Sequence, residues 1–209
     1  MSSYMNKTIQ CRCCGFTYKA KILKGFFNST VADLDTCTHS PVVYDRVIEC
    51  PCCGYSTEKI GAEVSHEVIE FIHSDKYQRI VRDESLSNVY KKNYLSGLIY
   101  EFKHEYKSAA QFFLYTYWIT RELSMASDEL LNKVIDNLKR YLQSDMDISS
   151  AILMIDCMRQ LSSYEEAEET AMSLKHYLRD EYDKKLIEYE LLLIRNRDNK
   201  PHSQSEVVS

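Results

Sequence analysis

Seven of the chain's eight cysteines, Cys11, Cys13, Cys14, Cys37, Cys50, Cys52 and Cys53, lie in its first quarter, and only Cys157 lies outside it. Two copies of one pattern, C-x-C-C-G-aromatic, organise them: Cys11-Arg-Cys-Cys14-Gly15-Phe16 and Cys50-Pro-Cys-Cys53-Gly54-Tyr55. A C-x-x-C turn aims two thiolates at one point, and the glycine after it gives the backbone freedom that brings turn amides to the sulfurs. Two such turns supply four thiolates, which close a tetrahedral Zn2+ shell with bonds of about 2.3 Å and leave no open position for substrate. The expected chemistry is that of a structural zinc site with Cys11, Cys14, Cys50 and Cys53 as ligands. These outer pairs keep the two-residue gap, whereas adjacent Cys13 and Cys14 would be awkwardly placed for one ion. Cys13 and Cys52 remain over, with Cys37 and His39 of the loop Asp33-Leu-Asp35-Thr-Cys37-Thr-His39. They read first as packing or loop polar groups, and otherwise as a second metal site or a set of redox-active thiols.

The compartment supports metal over disulfides. The start, MSSYMNKTIQ, has no apolar signal-peptide core, and apolar runs elsewhere stop at four or five residues, so a cytoplasmic location is expected. Thiols stay reduced there, and clustered cysteines hold metal or do redox work.

The elements that must position the sulfurs are legible next. Short β-prone segments, Thr8-Ile9-Gln10 and Val47-Ile48-Glu49, precede the two turns. Phe16, Tyr18, Ala20 and Ile22 alternate with Thr17, Lys19 and Lys21 as in a half-buried strand, beside which Val42 to Glu49 is expected to return. The front of the chain, residues 1–60, thus reads as a zinc ribbon.

Behind it, glycine nearly vanishes and apolar residues recur at helical spacing. One helix is predicted from Ala62 to about Asp83, then helices over Leu86 to His104 and Tyr106 to Met125, joined tightly enough to form an antiparallel hairpin. Further helices are predicted at Ser127 to Gln143, Ile148 to Leu161, Tyr164 to Arg179 and Glu181 to Arg197. Gly97, Tyr100, Ala109 and Phe113 fall at offsets 0, 3, 12 and 16, where a tetratricopeptide repeat places its small, aromatic, small and aromatic residues. Asn93 and Ser96 stand where that repeat has Trp and Leu, and the similar stretch from Tyr164 is displaced by 58 residues, which is not a multiple of 34. The segment is repeat-like and not a regular array. His66, Glu70 and His73 share one helix face with metal-ligand chemistry, although a polar face opposite an apolar one is what any surface helix shows. The expected fold is α+β, mostly α: a ribbon over 1–60, an antiparallel helical-hairpin domain over 61–197 and a flexible tail over 198–209.

The succession Cys11-x-x-Cys14, Asp33-x-Asp35-x-Cys37, Tyr44, Cys50-Pro-x-Cys53-Gly54-Tyr55 and the helix end Tyr117-Trp118-Ile119-Thr120-Arg121-Glu122-Leu123 resembles the bacterial family of domain of unknown function 2225. That resemblance covers most of residues 8–125. It implies a zinc-ribbon-like module joined to tetratricopeptide-like helices, gives Cys11, Cys14, Cys50 and Cys53 the ligand roles, and places Cys37 at the family's loop cysteine. The first turn departs from the family's Cys-Pro-x-Cys, and Cys13 and Cys52 are additional thiols.

Charge narrows the partners. Residues 1–60 carry 7 Lys or Arg against 5 Asp or Glu, while residues 61–209 carry 19 against 26, for a net charge of −5. The helical part, at −7, repels nucleic acid, and four thiolates on a Zn2+ offset the ribbon's +2. A protein or peptide partner is expected, with nucleic acid and membrane disfavoured. No phosphate-cradling glycine loop, G-x-S-x-G, H-E-x-x-H or dinucleotide fingerprint is present, so an enzyme is the class least supported. The reading is a non-enzymatic zinc-binding adaptor, with a nucleic-acid-binding ribbon or a thiol redox sensor as alternatives.

Overall fold

The computed structural model describes residues 3–25, 41–59, 61–123, 127–202 and 206–207. Two small antiparallel sheets stand at the front: β1 (Ser3–Gln10) pairs with β2 (Thr17–Gly25), and β3 (Ile48–Glu49) pairs with β4 (Ser56–Thr57). Tyr18, Ala20 and Ile22 of β2 are half-buried and Thr17, Lys19 and Lys21 exposed, as the alternation requires. The partner of β2 differs from expectation. It is β1, because the first cysteine turn is itself the hairpin connection; the stretch from Val42 forms a short helix, α1 (Pro41–Asp45), and only two residues of β3.

The predicted helix from Ala62 to Asp83 is two helices, α2 (His66–His73) and α3 (Asp75–Arg82), broken at Ser74. Ser74 is extended (φ −65°, ψ 149°), its hydroxyl donates to the Phe71 carbonyl at 2.6 Å and accepts from the Tyr77 N–H, ending one helix while starting the next. Tyr77 and Gln78 thereby turn towards the second cysteine turn.

Six longer helices follow: α4 (Asn88–Phe102), α5 (Tyr106–Glu122), α6 (Asp128–Leu142), α7 (Ile148–Gln160), α8 (Tyr164–Leu174) and α9 (Glu181–Arg195). Neighbours in the chain run antiparallel. Between α4 and α5, Tyr94 meets Phe113 edge-on at 5.6 Å and Tyr100 stacks on Phe112 at 5.4 Å, so one residue number rises as the other falls. Between α5 and α6, Lys133 lies over Phe113 and Arg140 over Tyr106. At Gly97 α4 and α5 approach closely: a Cβ there would lie 2.7 Å from the Phe113 ring. Asn93, at the position where a repeat has Trp, is buried and donates to the Val43 carbonyl at 2.9 Å, tying α1 to α4. Helices two apart also touch, through Lys139 of α6 with Glu166 of α8 and Arg159 of α7 with Glu190 of α9. From Phe112 to Thr120 every residue of α5 is buried, which makes it the axis of the core.

The hairpins α4–α5 and α7–α8 share one connection. His104 (φ 59°) and Ser162 (φ 60°) take left-handed backbone, and the next N–H, of Glu105 or Ser163, reaches back five residues to Tyr100 or Met158. The 58-residue displacement is therefore a repeated turn. It joins helices that occupy different places in the stack, and so does not generate a regular array.

Arg159 lies wholly inside this stack. Its guanidinium donates to Glu190 Oε2 at 2.8 Å and Asp156 Oδ1 at 2.5 Å, and to the carbonyls of Asp198 and Lys200, so residues just beyond α9 are held against α7. Among the described residues no helix is long and apolar enough to cross a membrane.

Candidate metal centre

Each cysteine turn is closed by the same backbone bonds. Cys11 N–H donates to the Phe16 carbonyl at 2.8 Å and Gly15 N–H to the Cys11 carbonyl at 2.9 Å; Cys50 with Tyr55, and Gly54 with Cys50, repeat both at 2.9 Å. The closure needs left-handed backbone at its last residue, which Gly15 (φ 76°) and Gly54 (φ 75°) adopt without a Cβ penalty. Folded this way, the turn aims amides at sulfur: the N–H groups of Cys13 and Cys14 at Cys11, those of Cys52 and Cys53 at Cys50, and those of Phe16 and Tyr55 at Cys14 and Cys53. Amide donors of this kind favour thiolate over thiol.

The turns face each other, and the four sulfurs of Cys11, Cys14, Cys50 and Cys53 all lie within 4.8 Å of one another. Cys11 to Cys53 and Cys14 to Cys50 are each 3.8 Å. That is far beyond a disulfide bond of about 2.05 Å. It equals the edge of a tetrahedron whose vertices sit about 2.3 Å from a central ion, roughly 3.8 Å, so the donor set and its spacing fit Zn2+.

Burial pushes the Cys11 and Cys50 thiols up in pKa, and the neighbouring Cys13 thiol and burial do the same for Cys53. Cys14 goes the other way: its modest burial is outweighed by the Phe16 N–H and the surrounding thiols, and its pKa is lowered. Tyr18 and Tyr55 pack on the sulfurs, and burial with the adjacent thiols raises both phenols.

The sulfurs predicted as ligands are thus brought together. Cys13 is half-buried beside Cys53, and Cys52 is exposed beside Cys14. Cys37 and His39 lie outside the described residues. His66 and Glu70 make only an exposed contact at 3.4 Å, and among the described residues no second cluster of metal-binding side chains forms around them.

The sequence did not signal what supports the second turn. Tyr77, fully buried, donates through its hydroxyl to the Gly54 carbonyl at 2.9 Å, Ser56 Oγ donates to the same oxygen at 3.0 Å, and Gln78 Nε2 donates to the Cys53 carbonyl at 3.0 Å. Val81 closes over Gly54, where a Cβ would lie 2.4 Å from its methyl carbon. Tyr77, Gln78 and Val81 carry no local sequence signal of this docking, since each is an ordinary residue of an amphipathic helix until it meets the second turn. Comparison of the chain with protein-family models, curated proteins and solved structures finds no match, and the functional reading rests on the geometry above.

Proposed function

We propose that the protein is a non-enzymatic adaptor in which one Zn2+, held by Cys11, Cys14, Cys50 and Cys53, fixes the ribbon onto a helical stack that receives a protein or peptide partner. The observation that carries this reading is the four-sulfur cluster, whose donors fill a tetrahedral shell by themselves and leave the ion nothing to offer a substrate. The ion would serve folding, since binding it supplies stability that the small sheets of the ribbon lack. The antiparallel packing of α4 on α5 and of α5 on α6 supports a tetratricopeptide-like stack, and with the cysteine pattern it supports membership of the domain of unknown function 2225 family. A reducing compartment, the cytoplasm, suits the free thiols.

Where ribbon and stack meet, a cleft of about 370 Å³ opens between β4, the start of α2 and the end of α4, lined by Tyr55, Val68, Ile99, Tyr100, Phe102 and Lys103. Its aromatic walls, with Lys59, Glu63 and Lys103 among the lining, suit an apolar peptide side chain flanked by polar groups. Affinity capture from the source cell with wild-type protein and with Phe102→Asp tests the reading. The expected result is a specific partner that the wild type retains and both the variant and zinc-stripped protein lose. Turnover of a substrate with no retained partner would overturn it.

A further inference from the structure

Each cysteine turn carries one thiol more than a tetrahedral ion uses, and the two spare thiols reach across the gap between the turns. Cys52 of the second turn hydrogen-bonds Cys14 of the first, and Cys13 of the first hydrogen-bonds Cys53 of the second. In both pairs the ligand is the cysteine that precedes the turn glycine. The pairs differ in access. Cys13 is half-buried and packs on Cys11, Cys50 and Cys53, and Cys53 is itself buried. Cys14 and Cys52 are both exposed, and around neighbouring Gly15 nothing lies within 4 Å of a would-be Cβ. Packing accounts for Cys13. It gives no account of Cys52, whose thiol stands in solvent against a metal ligand of the other turn.

We propose that Cys14 and Cys52 form a peroxide-sensitive modification site, at which oxidation joins the two turns by a disulfide and releases the zinc. The site rests on the zinc centre proposed above and is independent of the adaptor cleft. A hydroperoxide reaches the exposed Cys14 sulfur, which attacks its terminal oxygen. An S–O bond forms, the O–O bond breaks, the sulfur gives up two electrons, and the hydroxide or alkoxide that leaves takes a proton from solvent. The Cys52 thiol then attacks the sulfenic sulfur. An S–S bond forms, the S–O bond breaks, and the hydroxyl departs with the thiol proton as water. A sulfur held in a disulfide is no longer a thiolate ligand, so the ion keeps three of its four donors and passes to a competing chelator. Because the new bond spans both turns, the ribbon stays closed while its metal leaves, and Tyr77 and Gln78 continue to hold the second turn.

The test uses full-length zinc-loaded protein, about one equivalent of hydrogen peroxide per chain, a chromogenic zinc chelator and mass spectrometry of the proteolytic peptides. Wild type should release zinc as a Cys14–Cys52 disulfide accumulates, with buried Cys157 still reduced, and dithiothreitol with added zinc should restore the metal content. Cys52→Ser should hold zinc as wild type does before peroxide. After peroxide it should leave Cys14 as a sulfenic acid, trapped by dimedone several-fold more than in wild type, and recover several-fold less zinc on reduction as Cys14 passes to sulfinic acid. If Cys52→Ser loses zinc before peroxide, Cys52→Ala replaces it. Cys13→Ser should leave the disulfide and its reversal unchanged. Zinc present but retained under peroxide, a disulfide within one turn such as Cys11 to Cys14, or recovery indifferent to Cys52 would overturn the modification site alone. Protein isolated without zinc would overturn it together with the metal centre.

Discussion

The two cysteine turns share a sequence pattern, a backbone closure and a glycine conformation, yet they sit in different surroundings. Around Gly15 nothing approaches within 4 Å of a would-be Cβ; around Gly54 the nearest Val81 carbon is at 2.4 Å. Cys14 is the least buried of the four sulfurs, and Cys53 is 4% exposed. Phe16 projects into solvent, whereas Tyr55 packs between the sulfurs and the helical core. The motif thus encodes a local thiolate pair, and what surrounds it decides what else the turn does. One turn anchors the site to α3; the other holds a hairpin away from the core.

The largest effects should come from the ligands themselves. Cys50→Ser and Cys53→Ser should abolish stoichiometric zinc binding and release α3, since metal-linked folding of such sites amounts to about 10 kcal/mol or more. Cys14→Ser should also lose zinc, but hydrogen exchange should still show the second turn protected by Tyr77 and Gln78. Equal exchange in both turns of all three variants would erase the asymmetry.

Next come the glycines. Gly15→Ala and Gly54→Ala each incur a left-handed backbone penalty of about 1–2 kcal/mol. Gly54→Ala adds overpacking against the short, branched Val81 side chain, about 1–3 kcal/mol more. Urea midpoints of the zinc-loaded variants measure the difference, and a Gly15 variant as damaged as its counterpart would contradict it. Tyr77→Phe, removing one of two hydroxyls on the Gly54 carbonyl, should cost about 1 kcal/mol by the same assay.

The smallest effect is in thiol chemistry. In metal-free protein Cys14, whose pKa is lowered, should carry more thiolate than Cys11, Cys50 or Cys53, whose pKa values are raised. A lowered pKa keeps the thiolate as pH falls, so the labelling preference for Cys14 should widen from alkaline pH towards neutrality. Peptide mapping after limited iodoacetamide treatment checks the order; Cys53 labelled first would reverse it.

How far this was legible follows from range. Each clustered cysteine pair with its turn glycine, and the half-buried face of β2, is written within a few residues, where spacing and alternation suffice. The partner of β2 differs from the sequence expectation because Val42 to Glu49 is as apolar as a strand, while the actual pairing depends on the first turn closing a hairpin. The break at Ser74 is hidden in the sequence because the apolar period continues across it; the hydroxyl, capping in both directions, stops the helix. Arg159, Asp156 and Glu190 look like ordinary helical charges until tertiary packing removes them from water. Docking of the second turn by Tyr77, Gln78 and Val81 is likewise a long-range fact with no local signature.

Zinc-edge X-ray absorption on freshly purified protein, with metal content determined on the same sample, bears most directly on the central claim. The account predicts one zinc per chain with four sulfur neighbours at about 2.3 Å. A metal-free protein, or a shell containing nitrogen or oxygen ligands, would contradict it.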